Sequence, residues 1–447
     1  MVNMPIDDIK NFTINIAENG NNYYVSKNGS DSNDGSLNYP WKTIQKAANT
    51  AEAGDIVNIM GGTYQEQVET VNSGTAGNFI SFKNYNSDIP IIDGSFMTST
   101  WDGLVAVRGQ SFLRFSGLKI ANASAYGLYF PLETNNIIID NCEIYSCSLS
   151  GIYMYPANPT YVTNVLIENN VLYDNHNWWN WPEGEGPNET VTISNVDNFI
   201  FRYNYLYNNH KLPFDAKNNS RNGEIYGNII DSYATEPYIY CAGFYIDAYD
   251  DHAMDINVYN NIVYGPHTGY TIGTEQGGTL HRIKMFNNIY YGTGHAFQIN
   301  DHWQYSGGTP GVNHVKAECC IINNTICNAS AGIFITDLQD SFYYNDFIIR
   351  NNILSTNGSG IYCPAKAVNL DTQELDHNCF HETHSSTYYG TDNVIGNPLF
   401  VDAANNNFHL QSNSPCINAG SSSDAPLYDF DGNSRVMPPD IGAYEYV

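Results

Sequence analysis

Asp215, Lys217, Asp247 and Glu275 recur at intervals that would stack them if the chain winds in coils. Asp247 lies four places after Gly243, and Glu275 lies six places after Gly269. Leu212-Pro213-Phe214-Asp215-Ala216-Lys217 aligns so that Asp215 matches Asp247 and Lys217 matches Glu275, and Asn300, Asp301 and His302 offer the next level. Parallel strands lie about 4.8 Å apart, so these side chains would be neighbours on one face. Such a set has two chemistries open to it. Two carboxylates about 5–5.5 Å or about 6.5–9.5 Å apart hydrolyse a glycosidic bond with retention or inversion. Asp247 with Glu275, or Asp215 with Asp247, would serve. A lysine whose pKa is lowered by desolvation can instead remove the proton α to a uronic carboxylate. Lys217 would be that base, with Ca²⁺ on Asp215, Asp247 and Asp250 neutralising the substrate carboxylate.

Asp247 interrupts the apolar run Phe244-Tyr245-Ile246, and Glu275 precedes Gly277-Gly278, which lets backbone approach a ligand. Arg221, Tyr249 and His302 are candidates for substrate binding. So are Trp178, Trp179 and Trp181, three of the six tryptophans, in the insertion Asn177–Gly184. Exposed tryptophans on a loop suit a sugar platform; the plainer alternative folds them inward. Asp250 and Asp251 equally suit a solvated turn, His252 a surface turn, Asp255 a strand cap and Arg221 a corner.

The elements that would hold these residues show in a repeat. Asn170, Asn204, Asn228, Asn261, Asn288, Asn324 and Asn352 each precede a short, mostly apolar run, such as Ile262-Val263-Tyr264. They lie 24 to 36 residues apart (204 to 228; 288 to 324). A constant coil with loops of variable length predicts an all-β, right-handed parallel β-helix. Asn suits its tight corner by tolerating the left-handed region, and stacked Asn amides can bond into a ladder. Apolar spacing at Ile44, Ala47, Ala48 and Ala51 predicts a short helix over 41–51 that caps the open end. The acidic turn Gly29–Gly35 reads as turn chemistry rather than a calcium loop, since no Glu closes a twelve-residue loop. Residues 1–22 read as an extension and 23–447 as one β-helix domain, with 23–66 as cap and first coil and 397–447 as a closing segment.

Charged residues are 14 % of the 447, with 35 Tyr and 20 Phe, so the surface is polar mainly through neutral groups that suit sugars. A net charge of −28 argues against nucleic acid. Nine Cys without a CxxC argue against structural zinc, and Cys142 and Cys147 are spaced so that they can pair. No segment is long and apolar enough to span a membrane. Residues 1–22 show no signal peptide; a removed one would fit a secreted or cell-surface monomer.

Tyr24-Val25-Ser26-Lys27-Asn28-Gly29-Ser30-Asp31, Pro40–Ala47, Ala53-Gly54-Asp55 and Gly61-Gly62-Thr63-Tyr64 open the chain, and Asn397–Phe400, Ser414–Gly420 and Asp440–Glu445 close it. These segments resemble the ends of β-helix carbohydrate-active enzymes, polysaccharide lyases of family 9 and glycoside hydrolases of family 120. The resemblance implies a glycan substrate, and Asp247 is similar in position to an acidic catalytic residue of the β-xylosidase-type family. Three functions remain open: a lyase acting on a uronic-acid-containing plant or algal polysaccharide, which Lys217 puts first; a glycoside hydrolase; and a non-catalytic glycan-binding β-helix.

Overall fold

The computed structural model describes residues 14–447 except 15, 18, 99–100, 177–188, 232–241, 249–250, 266, 275–277, 301–313, 336–341, 364–373 and 384–389. Its contacts divide the chain into two compact units; among the described residues one ends at Asp215 and the other begins at Ala216.

In the first unit each coil contributes three short strands. One row, exemplified by Leu113–Ser116, Thr134–Asp140, Val162–Glu168 and Val196–Arg202, pairs in parallel from coil to coil. A second row runs through Lys119–Ala121, Glu143–Tyr145, Val171–Tyr173 and Tyr205–Tyr207. A third runs through Gly103–Ala106, Tyr126–Phe130, Ile152–Met154 and Glu189–Ser194. Ile137, Val165 and Phe199 stack in register and are buried, as are Ile144, Leu172 and Leu206. Burial against the next coil, rather than across a sandwich, is what a solenoid requires.

The second unit repeats the plan. Arg221–Tyr226, His252–Tyr259 and Thr279–Phe286 form one parallel row. Ile229–Asp231, Ile262–Tyr264 and Ile289–Tyr291 form another. Ala242–Asp247, Thr268–Gly273 and His295–Asn300 form the third. The later strands Thr325–Ile335 and Ile353–Tyr362 run through the second and third rows without a break.

The expected asparagine ladder is present, with one change. Within the second unit, the side-chain oxygens of Asn261, Asn288, Asn324, Asn352 and Asn378 each accept from the amide of the preceding rung. Each also receives the backbone N–H of that rung. The left-handed residue is the one before: Asn260, Asn287, Asn323, Asn351 and His377 have φ between 52° and 57°. The turn therefore falls one place earlier than expected, which leaves the ladder asparagine free to point its amide inward. A second ladder in the first unit joins Asn175 to Asn209.

The cap helix is shorter than its apolar spacing predicts, at Ile44–Ala48 with Thr43 as N-cap. Asp31 explains the later start. Its carboxylate takes the backbone N–H groups of both Lys42 and Thr43, which holds Thr43 extended. Trp41 instead stacks on Tyr23 and donates to the Asn33 carbonyl. Glu66 accepts the first two helical N–H groups, from Ile44 and Gln45, and burial raises its pKa. The acidic turn serves backbone groups, Asp34 receiving the Ser36 N–H. Cys142 and Cys147 are free, each thiol donating to a backbone carbonyl.

Candidate functional site

The third row of the second unit carries the candidate residues. Its strands alternate strictly. Phe244, Tyr270 and Phe297 point inward and stack at 5.6 and 4.9 Å, and burial pushes the Tyr270 phenol well up. Ile246, Ile272 and Ile299 follow in register, also inside. The intervening positions therefore face outward. Tyr245, Thr271 and Gln298 make one outward row, and Asp247, Gly273 and Asn300 make the next. Asp247 does break the apolar pattern, because it sits where the strand turns its polar side out.

Although outward, these side chains are covered: Asp247 is 1 % exposed, Thr271 and Asn300 2 % and Tyr245 3 %. Gly273 lets its neighbours close in over the strand. A Cβ there would overlap the Tyr245 hydroxyl and lie 2.8 Å from Asn300 Oδ1. Polar groups of three successive coils thus converge over one glycine.

The corners beyond these strands are tied together. Lys217 ends the strand Leu212–Lys217, and Arg221 opens Arg221–Tyr226 after Asn218-Asn219-Ser220. Asn218 is left-handed at φ 55°. The Asn219 amide donates to Asp251 at 2.6 Å, and Met254 N–H donates to the Ser220 carbonyl at 3.2 Å. The Asp251 carbonyl in turn receives Thr279 N–H at 2.8 Å, and the Gly273 carbonyl receives Ala248 N–H at 3.1 Å. The Lys217–Arg221 corner, the corner after Asp247 and the corner after Gly273 are consecutive steps of one edge.

Of the residues expected there, Lys217, Arg221 and Asp247 are placed, with Lys217 and Arg221 half-buried. Asp215 is buried and belongs to the first unit. Glu275, Tyr249, Asp250, Asp301, His302, Trp178, Trp179 and Trp181 lie outside the described residues. Asp255 is engaged by a bidentate Arg282 at 2.7 and 2.9 Å, as a structural residue would be. For calcium, no group of three His, Cys, Asp or Glu side chains among the described residues is arranged to hold a metal. Of the calcium candidates Asp215, Asp247 and Asp250, Asp250 lies outside the described residues, and no step below is routed through a metal.

Two features escape the sequence. Thr271 and Asn300 carry polar atoms into a covered outward face, and only the register reveals that they lie on the first and second strands beyond that of Asp247. Lys316 is the other. His314-Val315-Lys316-Ala317 reads as a strand with its lysine turned out, yet Lys316 pairs with the inward Leu280 and is 1 % exposed. Its ammonium donates to Thr274 Oγ1 at 3.2 Å, from inside the coil, just beyond Gly273.

Residues 23–235 match the family model described as Pel9A-like, right handed beta helix region. The uncharacterized protein YwoF of Bacillus subtilis (strain 168) is 26 % identical over 463 residues, covering 89 % of this chain and 92 % of YwoF. Pectate lyase PEL9 of Emericella nidulans is 29 % identical over 126 residues, 25 % of this chain and 30 % of PEL9. Among solved structures, pectate lyase Pel9A superposes with a TM-score of 0.50 at 16 % identity, covering 96 % of this chain and 97 % of that one. XylC in complex with xylose superposes at 0.51 and 12 % identity, covering 95 % and 98 %. At these identities the structural likeness shows the fold, a right-handed parallel β-helix. The chain is thus a right-handed parallel β-helix whose residues 23–235 are similar to the Pel9A-like family.

Proposed function

We propose that this protein cleaves polysaccharide, and that it is a lyase breaking a uronic-acid-containing polymer by β-elimination. The observation that carries the reading is the corner Lys217–Arg221. The chain has 18 Lys and Arg against 46 Asp and Glu. Two of those cations flank one three-residue corner, and Asn219 fixes that corner to the step that follows Asp247. A polyanionic substrate can approach so acidic a surface only where cations are concentrated. The similarity of residues 23–235 to the Pel9A-like model, and of one quarter of the chain to a pectate lyase, supports the same reading.

In this reaction Arg221 holds the uronic carboxylate through paired N–H donors, a geometry guanidinium suits. Lys217, as the free amine, takes the proton from the carbon α to that carboxylate. The electron pair forms a ring C=C bond as the bond from the β carbon to the glycosidic oxygen breaks. The leaving oxygen takes up a proton, and one unsaturated and one ordinary chain end result. Asp247 lies one step along the edge to orient the sugar. A polymer does not enter cells intact, so the reading puts the protein outside the cell or on its surface. Among the described residues no helix is long and apolar enough to cross a membrane.

The test is a panel of pectic, alginate and xylan polymers, followed both for ultraviolet absorbance of the conjugated product and for reducing ends. Rising absorbance together with reducing ends on a uronic polymer is the expected result. Reducing ends without absorbance would make the protein a hydrolase, and neither signal would make it a glycan binder.

A further inference from the structure

The thiols of Cys142, Cys147 and Cys319 each donate to the carbonyl two residues before, on Asp140, Tyr145 and Ala317. A different pair of cysteines meets, between positions far apart in the chain (379 to 416). Cys379 opens the strand Cys379–His381, which pairs in parallel with Ile353–Tyr362. Cys416 lies in the closing segment, where its carbonyl receives Ile441 N–H at 3.0 Å and the next residue, Gly442, donates to the Asn351 carbonyl at 2.7 Å. Both cysteines are fully buried in one apolar cluster with Ile353, Leu410 and Ile441. The hydrogen bond between their side chains, then burial, raises the Cys379 pKa. The Cys379 thiol also reaches the Gly396 carbonyl at 3.5 Å. The two side chains thus point at one another, the arrangement a disulfide needs.

We propose that Cys379 and Cys416 form a disulfide that fastens the closing segment to the strand Cys379–His381. The oxidant is an external disulfide such as oxidised glutathione. One cysteine, as thiolate, attacks it and releases one glutathione thiol. The other cysteine then attacks the mixed disulfide and releases the second. The two cysteines give up two protons and two electrons, and one glutathione disulfide becomes two thiols. A buried thiol with a raised pKa is a poor nucleophile and out of an oxidant's reach. The bond therefore forms as the chain folds, before the closing segment seats, and is afterwards shielded from reductants. By spanning residues 379 to 416 it narrows the unfolded ensemble and so stabilises the fold. Disulfides persist in oxidising compartments, which agrees with a protein that acts outside the cell. The bond and the cleavage reaction are read from different residues, so either can fail without the other.

The test compares the full chain produced by secretion into an oxidising compartment with the same chain produced in a reducing one. Each is digested with pepsin without reductant, at an acid pH where thiols do not exchange, and the peptides are weighed. From the oxidising compartment the peptides holding Cys379 and Cys416 should emerge joined, and reduction should part them. The undigested protein from that compartment should melt roughly 3 °C above its reduced counterpart. Cys379→Ser and Cys416→Ser should each erase that difference between compartments, whatever the substitution itself costs. The peptide masses decide the matter for wild type even if a variant fails to fold. Recovery of Cys379 and Cys416 as unlinked thiols from the oxidising compartment, or joined to other cysteines, would overturn the proposal. A joined pair with equal melting temperatures would overturn the fastening.

Discussion

His176 shows how strongly one residue's surroundings act on its chemistry. It is 3 % exposed and left-handed at φ 63°. Burial, then the charge of Lys211, drives its pKa down to about 3, with Glu189 opposing and His210 adding to the shift. The folded state therefore keeps the imidazole neutral while the unfolded chain protonates near the ordinary value. A depressed histidine pKa means stability is complete above about pH 6.5 and is lost as pH falls, by about 1.4 kcal/mol per unit until the folded pKa is reached. Urea unfolding at about pH 6.5 and about pH 4.5 should show wild type losing roughly 2 kcal/mol more than His176→Gln over that interval. Equal losses would mean that His176 is already charged or solvated in the fold. Nothing in the sequence near Asp174-Asn175-His176 announces this. The shift comes from side chains that only the coil closes around the imidazole. Asp247 was legible for the opposite reason: a strand's two-residue period is local, so a carboxylate among Phe244, Tyr245 and Ile246 already declares which side faces out.

At the scale of the element, the asparagine ladder ties each coil of the second unit to the next. Asn288 accepts from Asn261 N–H and from the Asn261 amide, and donates to Val258 O and Asn324 Oδ1. Replacing it with Ala strands several buried groups at once. At about 1–3 kcal/mol for each unsatisfied group, the loss should exceed about 3 kcal/mol in denaturant unfolding. A cost under about 1 kcal/mol would show that the coil is held by apolar stacking alone. The ladder was readable because each rung repeats the same residue before a short, mostly apolar run. Its geometry was less so: the left-handed residue precedes the ladder asparagine, and it is Asn at 260, 287, 323 and 351, so composition could not separate the two roles. The cap helix was shortened by Asp31, eleven residues from Lys42, a contact that helical spacing does not encode. Lys316 went unread for a related reason. Alternation assigns it to the outside, whereas the pairing with Leu280 assigns it to the core.

For the molecule as a whole, the net charge of −28 frames the functional claim. An acidic protein that handles an acidic polymer needs a few cations in the right place, and Lys217 and Arg221 flank one corner that Asn219 ties to Asp251. The stacking of levels was legible from Gly243, Gly269 and the asparagines, because in a solenoid equal spacing from a repeated residue becomes spatial neighbourhood. What each level does was less legible, since β-helices of one fold carry both lyases and hydrolases. The most direct measurement is the initial rate of ultraviolet product formation from a uronic polymer by wild type, Lys217→Ala and Asp247→Asn, as a function of pH. Loss of the base should lower kcat by at least ~10²-fold with little change in KM, and should abolish the rise in rate on deprotonation. Asp247→Asn should raise KM while keeping that pH dependence. Lys217→Ala turning over at the wild-type rate, with the same pH profile, would contradict the account.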